Sequence, residues 1–117
     1  MLHYHGLPFG GGQISHLAMQ GKHAFVSFAT GLSHIEMAAD ICQSFAIDNG
    51  AFSLWKSGKE YDVEQYVDFL LRWHRHPALD FYLLPDVIDG GEDANQKIRS
   101  NFFSLAQYHD GLMDLAV

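Results

Sequence analysis

Short apolar runs alternate with longer amphipathic ones along this chain. Leu2–Gly6, His23–Phe28, Ser44–Asp48 and Asp80–Leu84 are too short for helices and carry aromatic or β-branched residues, which predicts four strands. Between them the apolar positions change to a three- and four-residue step. Residues 13–20 place Ile14, Leu17 and Ala18 on one helical face, with Gly21 as the stop. Ser33 and Glu36 have capping-box spacing and open a helix whose narrow stripe, Ile35, Ala38, Ala39 and Cys42, is mostly small residues suited to close packing on a sheet. Asp62 and Gln65 repeat that spacing at the start of the strongest helix, over 62–75. Its buried face is Val63, Tyr66, Val67, Leu70 and Trp73 (or His74), and Pro77 ends it. After the turn Asp89-Gly90-Gly91, the residues Ala94, Ile98, Phe102 and Leu105 keep the helical step until Gly111. Residues 53–61 read as a polar loop around Trp55, and 112–117 as an apolar tail too short to assign. A β–α unit repeated about four times implies one α/β domain over 1–117 with a parallel sheet and right-handed crossovers.

Composition narrows the class. The 117 residues are 48% apolar, enough for a globular core but only about half of a β/α barrel of roughly 250 residues. No apolar run approaches a membrane span, and the first residues lack the basic-then-apolar pattern of a signal peptide, so the expected setting is cytoplasmic with no membrane partner. The lone Cys42 excludes an internal disulfide. A net charge of -7, with Lys22, Lys56, Lys59, Arg72, Arg75, Lys97 and Arg99 scattered, gives no basic face to grip a nucleic-acid backbone.

Two carboxylates carry the candidate chemistry. Ser44-Phe45-Ala46-Ile47 delivers Asp48 to a strand tip, and Asn49-Gly50 follows as a sharp-turn pair. Phe81-Tyr82-Leu83-Leu84-Pro85 delivers Asp86 in the same way. Ligands of α/β sheets sit beyond the carboxyl ends of the strands. A single acid there serves equally well as an Asx-type cap on the turn, whereas two acids on neighbouring strand tips, near one pocket, can divide acid from base work. Asp89 precedes a helix and is expected to cap it. Gly10-Gly11-Gly12 lacks both P-loop and dinucleotide spacing and reads as a flexible turn. His3/His5 and His74/His76 give no convergent set of three or four ligands, so no metal site and no cofactor is expected. Cys42 reads as core, and Trp73-His74-Arg75-His76 as a helix end where cations favour the dipole.

Phe45-Ala46-Ile47-Asp48-Asn49-Gly50-Ala51-Phe52 resembles the Asp-Ser-Gly-Gly-Phe-type motif of the queuine/guanine transglycosylases. It is closer to the Asp-Asn-Gly-Ala-Phe form of phage and bacterial relatives that act on DNA or tRNA. Leu84-Pro85-Asp86-Val87-Ile88-Asp89-Gly90 looks like their second signature, and Tyr4-His5-Gly6-Leu7-Pro8 and His23–Phe28 fit the same arrangement. The resemblance implies a (βα)4-like N-terminal half of a TIM β/α barrel that exchanges guanine for a 7-deazaguanine in tRNA or DNA. Asp48 would be the acid/base residue beside the glycosidic bond. Asp86 would read the base, since a carboxylate offers two acceptors to the two-donor edge of guanine. Asn49, Gly50 and Phe52 would complete the substrate site, with Phe52 or Tyr82 as a stacking surface.

The family's covalent nucleophile is an Asp on a strand in the second half of the barrel, and neither it nor the Cys/His zinc site of tRNA-acting members is among these 117 residues. Asp110 and Asp114 are poor substitutes, lying in the tail. Catalysis would then need a second half, a partner or self-association, because four open parallel strands leave two unpaired edges. The alternatives are a purine-binding module that does not cleave and a dimerising remnant.

Overall fold

A computed structural model describes residues 4–6, 21–30 and 32–117. The expected helix over 13–20, the Gly10–Gly12 turn, the Gly31 turn and His3 lie outside the described residues. Four strands, β1 (Tyr4–Gly6), β2 (His23–Ser27), β3 (Ser44–Asp48) and β4 (Leu79–Tyr82), form one sheet in sequential order, every neighbouring pair parallel. Among the described residues four α-helices accompany it: α1 (Leu32–Ile41), α2 (Ala51–Lys56), α3 (Val63–Trp73) and α4 (Gly91–Ala106). The class is mixed α/β with a small parallel sheet, as the β–α alternation predicts.

Strand alternation sorts the side chains into two faces. Ala24 and Val26 of β2, Phe45 and Ile47 of β3, and Leu79 and Tyr82 of β4 enter the hydrophobic core with Ile35, Tyr66, Leu70, Phe102 and Leu112. The opposite face carries Tyr4, His23, Phe25, Ser27, Ser44, Ala46, Asp48 and Phe81. Here the outer strands come together: the Tyr4 hydroxyl on β1 donates to Asp80 on β4, and the Tyr4 and Phe81 rings lie 5.5 Å apart. In a flat sheet those strands would stand about 14 Å apart, three spacings of about 4.8 Å. The sheet therefore curls strongly, with this face concave and the helices on the convex side.

Four details depart from the sequence expectation. Residues 53–56 belong to helix α2 rather than to a loop, and the Asn49 side chain closes an Asx-type turn onto Ala51 N at its start. Helix α1 begins at Leu32, so Ser33 lies in its first turn rather than at its cap. No side chain caps α4 at Gly90, so Asp89 does not hold that role; Val87 N–H is instead bound by Asn95 Oδ1 at 2.8 Å. The tail is ordered: a short 3₁₀ turn at Leu112–Leu115 leads Ala116 into a parallel bridge with Tyr82, and Val117 bonds both Tyr82 O (2.9 Å) and Leu84 N (3.0 Å). By contrast Asp62 caps α3 as its spacing predicts, accepting from Gln65 N at 3.1 Å. No described helix is long and apolar enough to cross a membrane.

Tyr61, Tyr66 and Tyr82 each donate a hydroxyl to a backbone carbonyl, of Asn49 (2.7 Å), Leu83 (2.7 Å) and Leu112 (2.8 Å) respectively. A neutral hydroxyl suits those acceptors and a buried phenolate does not. Burial, followed by the charge of Asp114, pushes Tyr82 from its ordinary 10.0 up to about 12, and burial drives Tyr61 and Tyr66 higher still. The unfolded chain releases these protons first, so their contribution to stability is full below pH 10 and is lost as pH rises towards and beyond 12. Alkaline titration followed by tyrosinate absorbance and circular dichroism should show ionisation and unfolding together above about pH 10. Ionisation of all five tyrosines without unfolding would contradict the arrangement.

Candidate functional site

Strand β3 is apolar and buried to its last residue, where half-buried Asp48 emerges on the concave face beside Ser27 of β2. The chain then reverses through Asn49 and Gly50. Gly50 has φ 75°, and a Cβ there would stand 3.0 Å from Ala29 N, so the turn needs glycine both for its backbone and for the close approach of the β2 end. Asn49 is buried and both ends of its amide are engaged. Its Oδ1 accepts from Ala51 N at 2.9 Å, which starts α2, and its Nδ2 donates to Leu84 O at 2.8 Å. The second bond ties the tip of β3 to the segment that carries Asp86, two residues further on. Strand β4 ends at Tyr82, where the pairing with β3 runs out at Ile47, so Asp86 lies four residues past the strand and not at a strand tip as the sequence suggests.

Asp86 lines a cavity of about 360 Å³ at the carboxyl end of the sheet, walled by α2, residues 59–61, the 86–89 segment and Ile98 of α4. That volume is at the small end for ligand sites, suited to one compact heterocycle. Leu54, Trp55, Val87 and Ile98 supply apolar wall, and Lys59, Glu60, Asp86 and Asp89 supply charge. Asp86 Oδ1 is buried and has no hydrogen-bond partner among the described residues. A carboxylate oxygen withdrawn from water without a donor is costly.

Asp48 is not among the cavity-lining residues. Tyr61 lines the cavity and donates to Asn49 O at 2.7 Å. Burial, then the charge of Asp48, then that of Asp86, holds the Tyr61 proton far above the ordinary tyrosine range. Tyr61 is thus a fixed donor to the turn after β3, a role the sequence pattern gave no sign of because its position lies outside any periodic run.

The remaining expected site residues fall in different places. Gly50 is buried in the turn. Phe52 is 59% exposed on α2, away from the cavity lining, with its ring 5.9 Å from that of Trp55. Tyr82 is in the core and offers no stacking face. Among the described residues no three of His, Cys, Asp and Glu converge as a metal site. His74 Nδ1 lies 3.2 Å from Leu71 O and His76 Nδ1 accepts from Ala78 N at 3.1 Å, so both finish the α3-to-β4 turn. Cys42 is buried, and burial raises its thiol pKa.

Comparison with family models, curated proteins and solved structures gives no match. The functional reading therefore rests on the geometry of the β3 tip and of the segment that follows β4.

Two substitutions measure that geometry. Asn49→Ala removes the Asx-type turn onto Ala51 and the bond to Leu84, and should cost about 2–4 kcal/mol in urea unfolding. Gly50→Ala forces positive φ and a 3.0 Å contact, and should cost about 1–3 kcal/mol. Losses below about 0.5 kcal/mol in both would show that the turn does not hold the two segments together.

Proposed function

We propose that this chain is the base-recognition part of a guanine/7-deazaguanine transglycosylase-like β/α half barrel. The observation that carries the reading is Asp86 in the wall of a cavity of one-heterocycle size, one of its oxygens buried without a partner among the described residues, with a second carboxylate, Asp48, at the tip of β3. In this reading the Asp86 carboxylate turns its buried oxygen towards the cavity and accepts from the N1–H and exocyclic amine of guanine. Asp48 transfers a proton to the departing purine and recovers it from the incoming one. Sequential parallel strand order and a concave inner face support a half barrel, since a barrel interior is such a face.

Base exchange needs a further carboxylate to hold the sugar, and the resemblance puts it on a strand outside these 117 residues. The second reading is accordingly a purine-binding module without cleavage. A homodimer closed by pairing β1 against β4 of another copy is less favoured, because Ala116 and Val117 already occupy the outer edge of β4 at Tyr82–Leu84.

Calorimetry with guanine and 7-deazaguanines should detect binding that weakens about tenfold or more in Asp86→Asn. A labelled-guanine exchange assay on tRNA and on duplex DNA, alone and with a candidate second half, should show turnover that Asp48→Asn abolishes while binding survives. Unchanged guanine affinity in Asp86→Asn would remove that residue from base reading and the proposal with it.

A further inference from the structure

We propose that Asp80, Tyr4, Ser44 and His23 form a one-way hydrogen-bond relay across the amino end of the concave face. The relay keeps the His23 proton on Nδ1 and leaves Nε2 as a base for an O–H or N–H group of a ligand. Tyr4, His23 and Ser44 open β1, β2 and β3, and the parallel register sets them side by side, Tyr4 against His23 and His23 against Ser44. Asp80 comes from β4, where it is the extra residue of the irregular pairing. This row lies at the opposite end of the strands from the Asp86 cavity, so it does not depend on the base-reading role.

The direction of the relay follows from counting protons. The Tyr4 hydroxyl gives its one proton to Asp80, whose ionised carboxylate can only accept. A further hydrogen bond at the Tyr4 oxygen must therefore be received, and Ser44 makes one. Burial and then Asp80 hold the Tyr4 proton above its ordinary range, while the Ser44 bond works the other way, as a donor to the phenol oxygen does. Ser44 has a single proton, and Tyr4 takes it. The 2.5 Å contact between Ser44 Oγ and His23 Nδ1 is then left with one possible donor, the Nδ1–H. In a neutral imidazole the nitrogen without the proton is the acceptor, so Nε2 keeps the lone pair.

Nε2 has no hydrogen-bond partner among the described residues, and the half-buried ring meets Tyr4 edge-on with centroids 5.9 Å apart. Proton uptake there disturbs none of the three bonds, and the Asp80 carboxylate at the far end of the relay offsets the charge gained. The described ionisable groups of this face are Tyr4 and Asp80 within the relay and Asp48 at the opposite end of β3. A metal ion would want more than one ligand, and among the described residues no three of His, Cys, Asp and Glu converge. A hydroxyl or N–H donor needs only the one lone pair.

The test is the tautomer of His23 in the nitrogen-15-labelled full chain, read by long-range proton–nitrogen correlation at about pH 8.5, above the ordinary histidine range. The signal is assigned by its loss in His23→Gln. The parent ring should carry its proton on Nδ1. Tyr4→Phe frees the Ser44 proton to turn towards His23 and should move the ring to the Nε2–H form, and Ser44→Ala should do the same. Asp80→Asn keeps an acceptor for Tyr4 and should leave the proton on Nδ1. Diethyl pyrocarbonate, which attacks an unprotonated imidazole nitrogen, should acylate His23 about threefold or more faster in the parent than in Tyr4→Phe, counted on the His23 peptide by mass spectrometry. An Nε2–H ring in the parent overturns the relay, and that spectrum decides even where a variant fails to fold. An Nδ1–H ring that persists in folded Tyr4→Phe and Ser44→Ala also overturns it. A parent acylation rate no faster than that of folded Tyr4→Phe removes Nε2 as the base.

Discussion

The candidate site depends on one side-chain amide. Asn49 joins the tip of β3 to the segment after β4, which the sheet alone would leave to separate loops: Nδ2 holds Leu84 O, and Oδ1 starts α2. Tyr61 then bonds the Asn49 carbonyl from outside, so three hydrogen bonds of 2.7–2.9 Å converge on one residue. Buried hydrogen bonds contribute modestly when made and cost far more when half-made, which leaves the turn little freedom to rearrange. Asp48 and Asp86 are held at the two ends of this clamp. Neither carboxylate is part of the clamp.

The convex layer works differently. Its core is aromatic, with Tyr66 in ring contact with Phe28, Tyr61, Tyr82 and Phe102 at 5.0–6.5 Å. Large rings fill the space between a curved sheet and α3 and α4, and the tyrosine hydroxyls reach past the apolar layer to carbonyls at the carboxyl edge. The same residues therefore supply core volume and loop anchoring, which links the stability of the fold to the order of the site.

Much of the architecture was legible in the sequence, since strand parity and helical period are carried by residues that must face the core. The four strands and the Asp62 cap follow from that rule, as does the placing of Asp48 at a strand tip. What stayed hidden depends on contacts between residues far apart in sequence. Asn49 and Gly50 look alike as turn formers, yet only Asn49 bridges to Leu84, 35 positions away. Helix α2 was masked because its start is held by a preceding side chain and its aromatics point to solvent, which erases the periodic signal. The reach of Tyr4 to Asp80 is a product of curvature, which no local pattern encodes.

Strand β4 departs from regular pairing at one point: Phe45 faces Leu79 and Ala46 faces Phe81, leaving Asp80 as an extra residue. Because strand side chains alternate with period two, one inserted residue reverses the parity of everything after it. Leu79 and Tyr82, three apart, consequently both face the helices, and Phe81 takes the concave side. Without the insertion Tyr82 would be turned out of the core and the segment ending at Asp86 would leave the sheet rotated by half a turn. The face that the end of β4 presents to the core is thus set by a residue that takes no part in the core or the cavity.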